Sequence, residues 1–181
     1  TGRTDTTDLQ YGSGGAAPNS LYGEIERAEA GGFPAILESV LGLDPDSPQR
    51  EALLDLLFDR WAMKDPVGVL EAATALRGSA RDSAFKSALT RLGTENFSET
   101  LAWMNDHMSY SARSSSQLWL YVGLAKKDPL LAIDEIGKLS DGEIKESALL
   151  NVASEWAKTD VMAAFKWYEN APWNGKMVDV Y

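Results

Sequence analysis

The sequence predicts an all-α protein, an α-solenoid of about five antiparallel helical hairpins. A six-residue phrase returns every 31 or 32 residues, with copies that begin at Trp61, Leu92, Leu124 and Trp156. Apolar residues recur at helical spacing before and after each copy. Turn residues such as Gly78 separate one such pair of segments from the next. A fixed period of this length is typical of helical hairpins stacked in a row.

Each copy of the phrase marks the boundary between a first helix, A, and a second helix, B. Asp65 and Asp128 are each followed by proline. This order places an N-cap acceptor before a residue that suits the first helical position. Asn96 and Glu99 have the spacing of a capping box at the matching place. The phrase is therefore predicted to shape the chain rather than to carry chemistry.

The hairpins can be assigned in order along the chain. In the first, degenerate hairpin, residues 22–30 are expected to form helix A and residues 34–41 helix B. Ser47 then caps the next helix A, whose apolar face contains Leu54, Leu57, Phe58 and Trp61. The B helices carry stripes of their own, including Leu131, Ile133 and Ile136, and Ala164, Phe165 and Tyr168.

The chain is predicted to have two parts. Residues 1–20 are rich in Thr, Gly, Ser and Asp and read as a flexible leader. Residues 21–181 form the helical-repeat domain, and residues 175–181 look like the start of a further helix A, so the last repeat is predicted to be truncated. Such a leader slightly favours an extracytoplasmic location over a cytoplasmic one. Apolar surface at an uncapped last repeat would favour an end-to-end homodimer.

Composition excludes several function classes. No apolar run approaches the roughly 18 residues of a membrane-spanning helix, so no membrane insertion is predicted. The net charge of −10 disfavours nucleic acid and favours a basic partner. The chain has no cysteine, which excludes disulfides, thiolate nucleophiles and cysteine-held metals. No cofactor, metal site or catalytic residue is predicted. The single histidine, His107, does not share a helix face with the acid beside it. The sequence also contains no known catalytic or metal-binding motif.

The phrase Trp-Ala-x-x-Asp-Pro and its period resemble a known class of proteins. Residues 21–174 are similar to tetratricopeptide and related helical-hairpin repeats, most of all to divergent tandem repeats of large bacterial proteins. The period of 31 or 32 residues is shorter than the tetratricopeptide period of about 34. The resemblance implies a curved, right-handed stack that serves as a protein-binding scaffold.

In such arrays the A helices line the concave face, so outward positions on helix A are candidates for binding. Two columns follow from the register, one with Leu56, Ser87, Trp119 and Asn151 and one with Arg60, Arg91, Gly123 and Glu155. Trp119 stands out, because a large amphipathic ring on an outward position is typical of a binding hot spot. Alternatively, residues 118–124 form a helix buried on both sides.

The leading hypothesis is a non-enzymatic scaffold that binds a protein or peptide on its A-helix face. The residues predicted to bind are Leu56, Arg60, Ser87, Arg91, Trp119, Asn151 and Glu155. A second hypothesis is a helical fragment or accessory domain of a carbohydrate-active enzyme, with tryptophans as sugar platforms and two carboxylates as acid and base. A third is a structural spacer in a larger surface protein, which would lack a continuous groove.

Overall fold

The computed structural model describes residues 18–140 and 142–171. In this part of the chain there are nine α-helices and no strand, which confirms the predicted all-α class. The helices are α1 (Pro18–Arg27), α2 (Phe33–Leu41), α3 (Pro48–Lys64), α4 (Pro66–Ala75), α5 (Gly78–His107), α6 (Tyr110–Lys127), α7 (Pro129–Gly137), α8 (Glu143–Ala157) and α9 (Val161–Asn170).

Helix α1 begins at Pro18, inside the segment 1–20 that the composition assigns to the leader. Proline is well suited to the first turn of a helix. Leu21 and Ile25, one turn apart, are both buried in the core. Burial of these two side chains explains why the helix begins this early. The rest of the leader and the predicted truncated repeat at residues 175–181 lie outside the described residues.

The four copies of the repeated phrase share one backbone conformation at the predicted helix boundary. The φ and ψ angles are −151° and 77° at Asp65, −140° and 53° at Asn96, −148° and 93° at Asp128, and −146° and 86° at Asp160. None of these pairs is helical. The same local break therefore recurs at each boundary.

Aspartate side chains hold three of these breaks. The Oδ1 atom of each aspartate accepts a backbone N–H bond from the residue three positions on, at 2.8 Å for Asp65, 3.0 Å for Asp128 and 2.9 Å for Asp160. These bonds satisfy one of the free N–H groups at the start of α4, α7 and α9. The predicted N-cap role of Asp65 and Asp128 is thus seen directly.

Removing one of these caps should cost a measurable part of the stability. We expect Asp128→Ala to lower the free energy of unfolding by about 1 kcal/mol in urea denaturation, because an N–H group of α7 loses its acceptor. Asp134→Ala on the same helix is the matched control. Its carboxylate is exposed and lies 3.6 Å from Lys138, so we expect a change below about 0.5 kcal/mol. Equal losses in the two variants would contradict a capping role.

The break at Asn96 is of a different kind. Helix α5 continues through it as a kink, with residues 78–95 before it and residues 97–107 after it. Among the described residues, Asn96 and Glu99 do not make the predicted reciprocal cap bonds; instead the Thr100 hydroxyl donates to the Asn96 carbonyl at 2.9 Å. The asparagine keeps the backbone conformation of the aspartate positions without their side-chain bond.

Contacts between helices follow the order of the chain. Helices α1, α3, α5, α6 and α8 form a series in which each member packs against the next. Helix α2 packs against α1 and α3, α4 against α3 and α5, α7 against α6 and α8, and α9 against α8. Each helix in the described part of the chain therefore has its main contacts with close neighbours in sequence.

The core lies in two clusters along this series. The larger runs from Leu21 on α1 to Leu120 on α6, and the smaller runs from Tyr121 on α6 to Val152 on α8. Trp61, predicted to be a core residue, is buried and stacks against two phenylalanine rings, at centroid distances of 5.7 and 6.4 Å. Trp156 occupies the equivalent position and is half-buried. Its ring lies 6.3 Å from that of Trp167.

Two glycines bring α5 and α6 into direct backbone contact. A Cβ atom on Gly93 would overlap the carbonyl oxygen of Leu120, and one on Gly123 would overlap the carbonyl oxygen of Thr90. The Thr94 hydroxyl bridges the same interface and donates to the Gly123 carbonyl at 3.0 Å. Only glycine allows helices to approach this closely.

The apolar stripes predicted for two B helices are partly wrong. On α7, Ala132 and Ile136 are buried while Leu131 is exposed, and on α9, Ala164 is buried while Phe165 is 55% exposed. Small alanines occupy the helix contacts and leave the larger neighbouring side chains outside. Helical spacing marks both the alanines and the larger residues beside them as apolar, and it does not show which of them are buried.

Candidate partner-binding groove

One cavity of about 500 Å³ crosses the face formed by α3, α5, α6 and α8. We call it the groove. It is lined by residues from all four helices, namely Asp59, Ala62, Met63, Lys86, Ser87, Thr90, Arg91, Thr94, Trp119, Val122, Lys126, Glu155 and Lys158. All four of these helices include segments that the sequence assigns to the A position. The groove therefore spans α3, α5, α6 and α8, which pack against one another in that order.

The groove brings together four of the seven residues predicted to bind. Ser87, Arg91, Trp119 and Glu155 all line it. They come from three helices and are separated by up to 68 positions in the chain. Gly123, in the same predicted column as Arg91 and Glu155, adds no side chain to the groove.

The other three predicted residues do not line the groove. Leu56 is half-buried against the larger core cluster. Arg60 lies one turn later on the same face of α3, and its guanidinium pairs with Glu26 of α1 at 2.9 Å. Asn151 donates from Nδ2 to the Ser147 carbonyl of its own helix at 2.8 Å. The guanidinium of Arg60 is thus engaged by α1 and not by the groove.

Trp119 has a role in both the groove and the core. Its ring is half-buried and packs against the larger core cluster, and it also lines the groove. The Lys86 Nζ atom lies 5.6 Å from the ring centroid, within cation–π distance. The sequence left two alternatives, an outward anchor and a buried helix. One part of the Trp119 ring lines the groove and another packs on the core, so each alternative holds for part of the ring.

Ser87 is engaged inside the protein rather than free to meet a partner. It is 9% exposed, and its hydroxyl donates to the Asp59 carboxylate at 2.5 Å. One turn earlier, Ser83 donates to Asp55 at 2.6 Å. These two bonds tie α5 to α3, and the Ser87–Asp59 pair lines the groove.

The groove contains more cationic than anionic side chains. Four are cationic, Lys86, Arg91, Lys126 and Lys158, and two are anionic, Asp59 and Glu155. Glu155 serves two lysines, with Lys158 Nζ at 2.6 Å and Lys126 Nζ at 4.0 Å. Arg91 pairs along its own helix with Glu95 at 2.6 Å. The groove is thus locally basic on a chain whose net charge is −10.

Sequence reasoning missed a column that lines the groove along its whole length. Met63, Thr94, Lys126 and Lys158 all contribute to it. They occupy the third position of the repeated phrase and are 31 or 32 residues apart. The period therefore contains this signal, although a helix boundary alone is enough to account for the phrase. Lys86 lies outside the predicted columns, directly beside Ser87.

A second cavity, of about 630 Å³, lies between α5, α6, α7 and α8. Burial, and to a smaller extent the charge of Glu135, raises the pKa of Tyr121 above its ordinary value of 10.0. The hydrogen bond from Lys138 to Glu135, at 2.7 Å, raises the pKa of the exposed Lys138 ammonium. Tyr121 and Lys138 both line this cavity. No predicted binding residue lines this cavity.

Two further features, a metal site and a membrane-spanning helix, are not found among the described residues. Within residues 18–140 and 142–171, no three His, Asp or Glu side chains are grouped so as to hold a metal ion. Over the same residues, no helix combines the length and apolar character needed to cross a bilayer. Comparisons of the chain with protein-family models, with curated proteins and with solved structures gave no match.

Proposed function

We propose that this chain is a non-enzymatic, right-handed α-solenoid of about five hairpins that binds a protein segment in the groove. The observation that carries the proposal is that one groove crosses four successive A-position helices. Equivalent positions of the sequence period recur along it, as expected when repeated units present one extended binding surface. A spacer without a binding role would need no such continuous groove.

The chemistry of the groove supports binding rather than catalysis. Its two carboxylates are both engaged within the protein, Asp59 with the Ser87 hydroxyl and Glu155 with Lys158. A general acid and base would need freedom to exchange protons with a substrate. The half-buried indole of Trp119, beside the 59% exposed Met63, offers instead an apolar contact of the kind that anchors peptides.

Selection from a random peptide library tests this proposal. We expect the wild-type protein to enrich peptides whose affinity falls at least about tenfold in Trp119→Ala, because truncation of a hot-spot aromatic costs about 2 kcal/mol or more. Affinity would be measured by isothermal titration calorimetry with purified proteins. Circular dichroism would establish that each variant is folded, since Trp119 also contacts the core.

Tyr110→Ala is the matched control, because Tyr110 is a 72% exposed aromatic residue that does not line the groove. We expect its peptide affinity to equal that of the wild type. If no peptide is enriched, or if the peptides bind folded Trp119→Ala as well as the wild type, the groove is not the binding site and the proposal fails.

A further inference from the structure

We infer that the groove selects an acidic peptide segment, one whose Asp or Glu side chains meet its lysines while an apolar side chain packs on Trp119. This inference rests on the proposed function, because it names the chemistry of the partner in the same groove. It departs from the basic partner that the net charge of the whole chain favours. The difference arises because the charges that line the groove have the opposite sign to the chain as a whole.

The ion pairs within the groove leave cationic charge without a matching carboxylate. Glu155 is the only carboxylate paired, among the described residues, with Lys126 and Lys158. One negative charge therefore serves two positive ones. Asp59 accepts from a neutral serine, and Arg91 has its own partner in Glu95.

Lys86 differs from the other three cations of the groove. In the part of the chain that the structure describes it forms no ion pair, and its interaction is with the ring of Trp119, 5.6 Å away. Its side chain is exposed. A carboxylate of a partner bound near Trp119 could accept a hydrogen bond from this ammonium group. Such a charge-assisted hydrogen bond would be stronger than one between neutral groups.

The size of the charge excess favours a peptide over a nucleic acid. Side chains of a peptide can supply a few carboxylates beside apolar groups, which matches the few uncompensated cations and the Trp119 and Met63 contacts of the groove. A nucleic acid carries a negative phosphate at every nucleotide. The remaining surface of a chain with a net charge of −10 would repel it.

The inference is tested with three peptide pools of equal length and equal apolar content, whose remaining positions are Asp and Glu, Lys and Arg, or Ser and Asn. We expect the acidic pool to yield the tightest binders. Lys86→Glu should weaken these peptides at least about tenfold and should improve binders from the basic pool, because like charges in contact are strongly unfavourable. Titration calorimetry with individual peptides measures both changes.

Lys166→Glu is the matched control. Lys166 is exposed on α9, outside the groove, and its reversal changes the net charge by the same amount. We expect less than about a twofold change for this variant, because Lys166 does not line the groove and the interactions of exposed charges are weakened by salt.

The outcomes separate this inference from the proposed function. If basic or neutral peptides bind best and still lose affinity in Trp119→Ala, the groove is a binding site but the acidic partner is wrong. Equal effects of Lys86→Glu and Lys166→Glu, or equally tight binding of a single-stranded oligonucleotide, would also overturn the acidic-peptide inference. If no pool binds, both the inference and the proposed function fail.

Discussion

Gly123→Ala should destabilise the protein by about 3 kcal/mol, at the upper end of what overpacking of a helix contact usually costs. The added methyl group would overlap the carbonyl oxygen of Thr90, which is backbone and cannot change rotamer. Helix propensity acts in the opposite direction, because alanine is favoured over glycine by about 1 kcal/mol within a helix. The sign of the measured change therefore shows whether contact or propensity dominates.

Gly137→Ala provides the control for this prediction. Gly137 is the last residue of α7, and a Cβ atom there would have no neighbour within 4 Å. We expect this variant to match the wild type or to gain up to about 1 kcal/mol. Urea denaturation of both variants gives the comparison. A stabilised Gly123→Ala protein would mean that α5 and α6 are not in direct backbone contact.

Phe58→Ala should lower the free energy of unfolding by about 3–5 kcal/mol, which is typical when a phenylalanine is removed from a core. Phe58 is fully buried, and its ring is stacked 6.4 Å from that of Trp61. Trp61 is stacked in turn on Phe33 of α2. The substitution therefore leaves a cavity beside Trp61, which packs on α2, and the loss would be a large share of a typical domain's stability.

Phe165→Ala removes the same side chain from an exposed position. Phe165 is 55% exposed on α9, so we expect a loss below about 0.5 kcal/mol in urea denaturation. The pair also tests the corrected assignment of the apolar stripe, since sequence spacing places both rings on apolar faces. Similar losses in the two variants would show that the α9 ring is part of a core.

Local features of the fold could be predicted from the sequence because they depend on few residues. An aspartate followed by proline encodes both a cap acceptor and a helix start, and Asp65 and Asp128 behave as this chemistry requires. The buried position of Trp61 follows in the same way from helical spacing. These predictions needed no knowledge of how the helices pack against one another.

The candidate site was less predictable, because it depends on how each helix is rotated about its own axis. The period places Leu56 and Trp119 in one column, yet only Trp119 lines the groove. Helix α1 meets α3 through the Arg60 and Glu26 pair, which no local pattern indicates. Likewise, the contact between Gly93 and Gly123 sets how closely α5 and α6 lie together, and single glycines within helices give no strong signal of their own.

The backbone contact between α5 and α6 gives the groove an uneven stiffness. Where side chains separate two helices, a change of rotamer lets the helices slide, but touching backbones leave no such slack. On either side of this contact, side chains separate the helices: α3 and α5 share the larger core cluster and two serine–aspartate hydrogen bonds, and α6 and α8 share the smaller cluster and a lysine–glutamate pair. We therefore expect any widening of the groove to occur between α3 and α5 or between α6 and α8, rather than between α5 and α6.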